Sequence, residues 1–199
     1  MTEASTPPPV LRIEPLAPEG FDVFARYLAA HVAENGTPGT GWFQPLPHGT
    51  PLEPARLDAF RKGLSIAVGQ PAWRRAWVAR RLDGSIAGHV DLRARPEPYT
   101  LHRCLLGMGV DTGDRGRGLG RALLAHAIAW AGSTPGLDHL DLMVLANNTP
   151  ALRLYETMAF TEMERITDHF RIDAQRLTSI SMTRPLKAEP NPSERRRAT

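Results

Sequence analysis

The sequence has a single cysteine, Cys104, which excludes a framework of internal disulfides. It also has no apolar run near the roughly 18 residues that a membrane span requires. Its N-terminus, MTEASTPPP, has neither the basic start nor the apolar core of a secretion signal. These absences predict a cytoplasmic protein without a membrane span.

Two further kinds of site are not expected. The seven histidines show no metal-ligand spacing with Cys104 or with the carboxylates, so no metal is predicted. The formal net charge is +3, and the C-terminal ERRR supplies much of it. No aromatic residue that could stack on a base is interleaved there. A solvated tail is therefore the interpretation, and a nucleic-acid contact is the alternative.

The chain has the length and composition of one globular domain. It has 199 residues, of which 42% are hydrophobic and 23% are charged. We expect residues 1–9 to be a flexible N-terminus, residues 10–186 to form the domain, and residues 187–199 to be a flexible basic tail.

Hydrophobic periodicity predicts one α/β domain, more closely of the α+β class, with about seven strands and about four helices. The predicted helices are 20–35, 54–69, 118–131 and a helix that begins near Pro150. The predicted strands are 10–15, 73–82, 85–95, 105–110, 140–146, 161–165 and 178–184. Asp83-Gly84 indicates a hairpin between the second and third strands. Residues 169–175, HFRIDAQ, are interpreted as a turn or bulge.

Two groups of residues are candidates for a ligand site, each with a structural alternative. The long loop 37–51 contains Trp42, Phe43 and His48, whose rings either line a binding pocket or pack down on the core. His89 and Asp91 lie on one face of a predicted strand. They either reach a ligand or form the exposed face of an antiparallel ribbon.

The most informative stretch is LGMGVDTGDRGRGLG, residues 106–120. An apolar strand, a glycine-rich loop and a helix start leave backbone N–H groups without partners, and such groups attract phosphate. A P-loop counted from Gly113 would need lysine where Leu119 stands. A dinucleotide fingerprint counted from Gly116 would need glycine where Arg121 stands. What remains is R-x-x-G-x-G, a candidate diphosphate cradle.

Two segments together resemble a known family. VDTGDRGRGLGRALL is similar to the acetyl-CoA binding motif of the GCN5-related N-acetyltransferases, the GNAT superfamily. NNTPALRLYETMAF is similar to the second signature of that family, N-x-x-A-x-x-L-Y-x-x-x-G-F. The resemblance covers roughly residues 105–160, and the N-terminal half fits only in outline. It departs at Ala159, where glycine is usual; if that glycine serves a positive φ, alanine costs stability.

The resemblance implies a single domain whose mixed sheet is splayed open at the acetyl-CoA site. Backbone N–H groups of the loop would wrap the diphosphate, namely those of Arg115, Gly116, Arg117, Gly118, Leu119, Gly120 and Arg121. Met108, Gly109 and Val110 would bind the pantetheine arm, and one of their N–H groups would polarise the thioester carbonyl. Asn148 would contact the cofactor arm, and Tyr155 would lie near the sulfur.

The chemistry of acyl transfer agrees with these roles. A thioester that reacts with an amine needs a neutral amine, a stabilised oxyanion and a protonated leaving thiolate. Tyr155 is chemically able to be the general acid, and a core tyrosine is the alternative. His89, Asp91 and His102 are candidates for the base, directly or through water.

The expected function is therefore N-acetylation by acetyl-CoA. A small-molecule amine is the expected acceptor because Trp42, Phe43 and His48 can form an enclosed pocket. A peptide or protein amine, N-terminal or on lysine, is the second choice. A non-catalytic acetyl-CoA binding module is the alternative from another class. The sequence leaves open whether the chain forms a homodimer.

Overall fold

The computed structural model describes residues 11–187. The N-terminal segment 1–9 and residues 188–199 of the tail, both predicted to be flexible, lie outside the described residues. Four helices are present between residues 11 and 187: α1 (Phe21–Ala33), α2 (Pro54–Ser65), α3 (Leu119–Ser133) and α4 (Thr149–Thr157). The strands are β1 (Arg12–Pro15), β2 (Arg74–Arg80), β3 (Ile86–Ala94), β4 (Arg103–Val110), β5 (His139–Leu145), β6 (Thr161–Ile172) and β7 (Gln175–Pro185).

The strands form one seven-stranded sheet in the order β1-β2-β3-β4-β5-β7-β6. Neighbouring strands are antiparallel except for β4 and β5, which are parallel. The β4–β5 pairing extends only from Arg103–His139 to Leu105–Asp141, although β4 continues to Val110 and β5 to Leu145. The two strands therefore separate after Asp141, and the mixed sheet splayed at its centre, as predicted, is present.

Both faces of the sheet are covered over β2 and β3. Alternate residues of a strand point to opposite faces. Trp77 and Ala79 of β2 pack in the core cluster that contains Leu123 and Leu124 of α3. Ala76 and Val78 instead pack in a second cluster, together with apolar residues of α1 and α2. Helix α3 thus covers one face, and helices α1 and α2 cover the other.

The closed end of the β4–β5 pair is held by a buried carboxylate. Asp141 is 1% exposed and accepts hydrogen bonds from Arg103 at 2.6 and 2.7 Å, from Arg95 at 2.9 Å and from Thr183 at 2.7 Å. Arg103 belongs to β4 and Asp141 to β5, so the pair fixes the strands beside the point where they separate. The network keeps the opening at one end of the sheet only.

The C-terminal strands are longer than predicted. Residues 169–172, interpreted from the sequence as part of a turn or bulge, belong to β6. The turn contains only Asp173 and Ala174, both with positive φ, 47° and 61°. Two-residue hairpins need such φ values and usually supply them with glycine or asparagine, so Asp-Ala gave a weak turn signal. A register irregularity does occur, but between Ile166 and Phe170.

Candidate active site

The loop before α3 presents a row of unsatisfied backbone donors. Within residues 11–187, the N–H groups of residues 116–121 have no hydrogen-bond acceptor, and no side chain caps Gly118. The first backbone bond at this end runs from the Ala122 N–H to the Gly118 carbonyl. Gly116 and Gly118 have φ of 73° and 83°, values that glycine adopts without strain. Six free amides at a helix N-terminus form a site for an anion.

Charged side chains from outside the loop bind it on two sides. Arg81 binds Asp114, which is 4% exposed, and lies 3.1 Å from Asp111. On the other side, Glu34 at the end of α1 accepts a hydrogen bond from Thr112 at 2.6 Å. The strand–helix connection is therefore fixed without a ligand.

The three arginines of the cradle differ in their surroundings. The guanidinium of Arg115 donates to the Val110 carbonyl at 3.0 Å and lies 3.4 Å from Glu34. Arg117 and Arg121 are exposed. The Arg115 side chain thus stabilises the base of the loop, while the other two guanidinium groups face solvent.

The edge of β4 that faces the opening carries free backbone groups. The Asp111 N–H donates to the Ala87 carbonyl, so the backbone N–H and C=O groups of Asp111 point toward β3. Successive residues of a strand point these groups to opposite sides. Those of Gly109 therefore also point toward β3, and those of Met108 and Val110 point toward β5. Beyond the Leu105–Asp141 pair, no strand within residues 11–187 pairs with that edge. The N–H groups of Met108 and Val110 are therefore available in the opening.

Helix α4 lies close to this opening. A Cβ on Gly120 would be 3.3 Å from Leu154 and 3.6 Å from Met108, so α3, α4 and β4 meet there. Tyr155, the next residue of α4, is buried with its ring 5.7 Å from that of Phe160. Burial raises the pKa of its hydroxyl to about 12. Tyr155 is therefore protonated at pH 7 and can act as a hydrogen-bond donor.

Asn148 caps α4 at the same place. Its side-chain oxygen accepts from the Ala151 N–H at 3.4 Å. This use of the oxygen leaves the amide NH₂ group available to a ligand.

On the face covered by α1, four rings gather over Gly109. His89 of β3 lies edge-on to Tyr27 and to His31, with centroids 5.5 and 6.0 Å apart. His31 stacks between Tyr27, at 5.9 Å, and Phe43, at 4.8 Å. A Cβ on Gly109 would lie 2.8 Å from His31 Cδ2 and 2.9 Å from His89 Cε1. The rings therefore occupy the space that the glycine leaves empty.

The two imidazoles of this group are neutral at pH 7. Burial lowers the pKa of His89 to about 4, and the nearby Asp91 opposes this decrease. Burial, with a smaller contribution from Arg115, lowers the pKa of His31 to about 4. A neutral imidazole retains a lone pair that can accept a proton.

The alternative in which His89 and Asp91 form an exposed ribbon face is wrong. Each is 5% exposed, because α1 and α2 cover this side of β3. Asp91 lies between Arg74 at 3.4 Å and Arg93 at 3.3 Å. Its carboxylate is thus paired, and it acts on His89 as a fixed negative charge.

The loop 37–51 brings one of its three candidate residues to the rings. Phe43 stacks on His31, whereas Trp42 packs against Gly36, and His48 is exposed and bonds the Asn35 carbonyl at 3.1 Å. The Asn35 side chain organises this loop. Its Oδ1 accepts from the N–H groups of residues 43 and 44, and its Nδ2 donates to the carbonyls of residues 44 and 46.

Three residues of this region were not predicted. Tyr27, His31 and Asn35 are spaced i, i+4, i+8 and so lie on one stripe of the first helix and its C-terminal end. His31 and Asn35 are buried, at 7% and 1% exposed. The polar stripe that they form beside the apolar face of the amphipathic helix is the sequence feature that could have predicted them.

Among residues 11–187, no group of three or more histidine, cysteine or acidic side chains could hold a metal ion. No helix in the same range has both the length and the apolar character to cross a membrane.

A sheet opened between β4 and β5 beside a row of free backbone N–H groups is an arrangement suited to a phosphorylated ligand. The sequence model of the Acetyltransferase (GNAT) family matches residues 43–160. The chain therefore belongs to this family, which confirms the resemblance predicted from the two motifs.

Curated relatives match parts of the chain. Streptothricin acetyltransferase of Streptomyces lavendulae is 35% identical over 105 residues, which are 52% of this chain and 53% of that protein. Mycothiol acetyltransferase of Clavibacter michiganensis is 41% identical over 88 residues, 43% of this chain and 26% of that protein. L-amino acid N-acetyltransferase of Escherichia coli is 28% identical over 79 residues, 40% and 49% respectively. The chain thus spans about half or less of these relatives.

Solved structures match nearly the whole domain. An acetyltransferase of the GNAT family from Streptococcus pneumoniae aligns with a TM-score of 0.73 and 22% identity, over 88% of this chain and 99% of that one. A phosphinothricin acetyltransferase from Sinorhizobium meliloti, solved with acetyl-CoA, aligns with a TM-score of 0.72 and 14% identity, over 92% and 94%. These similarities establish the fold.

Proposed function

We propose that this protein transfers the acetyl group of acetyl-CoA directly to a primary amine of a small molecule. The observation that carries the proposal is the position of six free amides at α3 beside the unpaired edge of β4. An anion at the cradle and an extended arm along that edge match the diphosphate and the pantetheine of one molecule. The cytoplasm is the compartment that we propose, because Cys104 is a buried free thiol.

The cofactor half of the site is built mainly from backbone. Acetyl-CoA supplies the activated thioester. The N–H groups of residues 116–121 bind its diphosphate, and the guanidinium groups of Arg115, Arg117 and Arg121 add positive charge. Met108 and Val110 bond the pantetheine arm, and one of their amides polarises the thioester carbonyl. Gly109 leaves the neighbouring face open to the rings, and the Asn148 amide contacts the arm.

The acceptor half lies over Gly109. We assign the general base to His89, whose neutral imidazole can take a proton from the amine as it attacks. Asp91 stabilises the imidazolium that results, since its charge raises the pKa of His89 against burial. Phe43 stacks on His31 and covers it from the side of the loop 37–51. Trp42 and His48 shape the outer part of the same loop.

Tyr155 is the proposed general acid. Its buried hydroxyl stays protonated at pH 7 because burial raises its pKa to about 12. A donor in this position can protonate the leaving thiolate and prevent the reverse reaction.

A small-molecule amine is favoured over a peptide by the enclosure of the acceptor half. His31 and His89 are nearly fully buried, and Asn35 holds the loop with Phe43 over them through four hydrogen bonds. The names of the matched relatives, which include an L-amino acid N-acetyltransferase and streptothricin acetyltransferase, support the same class of acceptor.

The test is a panel of amines assayed for free thiol release from acetyl-CoA. We expect release with one or more small amines and little with peptides. Release with peptides alone would favour the peptide acceptor, and no release with either group would favour the non-catalytic binding module.

A matched pair of glycine variants controls this assay. Gly116 and Gly136 both have positive φ, 73° and 84°, and neither has an atom near its Cβ position. Gly116→Val and Gly136→Val therefore impose similar backbone strain, but only Gly116 lies in the cradle. We expect KM for acetyl-CoA to rise in the Gly116 variant alone.

A further inference from the structure

The hydroxyl of Tyr27 lies between two hydrogen-bonding groups on adjacent strands. Its oxygen is 3.1 Å from His89 Nδ1 on β3 and 3.3 Å from the Gly109 carbonyl oxygen on β4. Tyr27 itself is on α1, so this contact connects the helix to both strands at the acceptor half of the site.

The two contacts constrain where the protons are. A tyrosine hydroxyl has one proton, and a carbonyl oxygen can only accept. Both hydrogen bonds form together only if the hydroxyl donates to Gly109 and His89 Nδ1–H donates to the hydroxyl oxygen. A neutral imidazole carries one N–H, so its other nitrogen, Nε2, must then hold the lone pair.

We propose that Tyr27 is a positioning residue that holds His89 in the Nδ1–H tautomer and so leaves Nε2 as the basic atom. The assignment of that lone pair to the acceptor amine rests on the function proposed above. The side-chain hydrogen bond that His89 makes within residues 11–187 involves Nδ1 and leaves Nε2 uncommitted. The edge-on contacts of the ring with Phe24, at 5.5 Å, and with His31 restrict its rotation.

The proton balance of this arrangement is simple. When the amine attacks, its proton moves to Nε2, and the ring becomes an imidazolium with N–H at both nitrogens. The Nδ1–H bond to Tyr27 and the Tyr27 bond to Gly109 stay as they were, so no proton leaves Tyr27. Burial, with the charges of Asp111 and Glu34, raises the pKa of Tyr27, which keeps its proton in place.

The tautomer can be measured directly in the wild-type protein. Proteins labelled with ¹⁵N-histidine are examined at pH 7 by long-range ¹H–¹⁵N correlation, which distinguishes protonated from unprotonated ring nitrogens. The His89→Gln variant identifies the His89 signals among the seven histidines. We expect a protonated Nδ1 and an unprotonated Nε2. An Nε2–H tautomer would overturn the proposal, whatever the activity of the protein.

Tyr27→Phe then tests the role of the hydroxyl, with Tyr99→Phe as the control because Tyr99 is 98% exposed. We expect His89 to lose its pure Nδ1–H signature and kcat to fall at least about tenfold with KM for acetyl-CoA unchanged. Retention of the wild-type signature or of kcat would contradict the positioning role. If wild-type His89 is Nδ1–H but His89→Gln keeps full kcat, the proposed base is wrong, and the catalytic role of Tyr27 fails with it.

Discussion

The imidazole of His31 occupies the position that a side chain on Gly109 would require. A Cβ built on Gly109 would approach His31 Nε2 most closely, with Cδ2 at 2.8 Å. Gly109 lies on β4 and His31 on α1, so this contact sets the distance between helix and sheet in the acceptor half.

Gly109→Ala should therefore destabilise the protein by about 1–3 kcal/mol, because the ring or the helix must move. It should also lower kcat by displacing the neighbouring His89. Denaturant unfolding and steady-state kinetics measure both effects. Gly132→Ala is the control: in α3 its Cβ would make only an ordinary contact, 3.9 Å from the Leu186 carbonyl oxygen, so it should stabilise by about 0.5–1 kcal/mol. Full stability in Gly109→Ala would show that α1 does not pack as described.

Tyr155→Phe separates catalysis from cofactor binding. Loss of the general acid should lower kcat by at least about tenfold, while Kd for acetyl-CoA stays the same because the cradle is untouched. Turnover and isothermal titration give the two values, and Tyr99→Phe serves as the exposed control. Unchanged turnover would remove the general-acid assignment and leave the phenol as a packing group against Phe160.

Glu34 is expected to compete with the cofactor for Arg115. In the structure it accepts from Thr112 and lies 3.4 Å from the Arg115 guanidinium. Glu34→Gln should lower Kd for acetyl-CoA roughly two- to fivefold, because it releases Arg115 and removes a negative charge near the diphosphate.

Asp22→Asn is the control for this effect, since Asp22 is also on α1 and paired with an arginine, Arg61, but does not contact the loop. The gain in affinity should shrink at high salt. Weaker binding by Glu34→Gln would show instead that Glu34 is needed to shape the cradle.

Stability should decrease as the pH falls from about 6.5 to about 4. In the folded protein the pKa of His31 and of His89 is about 4, below the ordinary value of 6.5, so the unfolded chain binds more protons between these values. Each histidine can lower the free energy of unfolding by up to roughly 3 kcal/mol across that range.

Chemical denaturation at pH 7, 5.5 and 4.5 measures this dependence. His31→Gln should reduce it, whereas a change at the exposed His102 should leave it as it is. A pH dependence that is identical in His31→Gln and in the wild type would mean that His31 is not buried as a neutral ring.

The two halves of the site differ in how far the sequence could predict them. The cradle is local, because residues 116–121 form it through their own backbone, and the glycine spacing reflects that conformation; the Arg115 N–H, which the resemblance also implied as a donor to the diphosphate, instead bonds the Thr112 carbonyl. The Tyr27–His89 contact joins residues 62 positions apart, and the pairing of Gly109 with His89 depends on the register of β3 with β4. Hydrophobic periodicity predicted the strand and the helix, but it could not predict that a helix would cover His89.

The left-handed residue at the end of α4 provides a last prediction. Ala159 has φ of 61°, as inferred from its place in a motif where glycine is usual. Its N–H donates to the Glu156 carbonyl, and the Phe160 N–H donates to the Tyr155 carbonyl, which is the Schellman arrangement. The ring contact between Tyr155 and Phe160 completes that motif, so the same turn that strains Ala159 also holds the proposed acid.

Ala159→Gly should therefore raise the free energy of unfolding by about 0.5–1 kcal/mol. It relieves roughly 1–2 kcal/mol of backbone strain, offset in part by the greater flexibility of glycine in the unfolded chain. Ala151→Gly, within α4, should lower it by at least about 0.5–1 kcal/mol, because glycine is more flexible in the unfolded chain and the Ala151 methyl also packs against the core. Thermal and denaturant unfolding compare the two variants. Because a glycine here keeps both hydrogen bonds of the turn, kcat should not change; a loss of turnover with increased stability would mean that Tyr155 depends on the strained form.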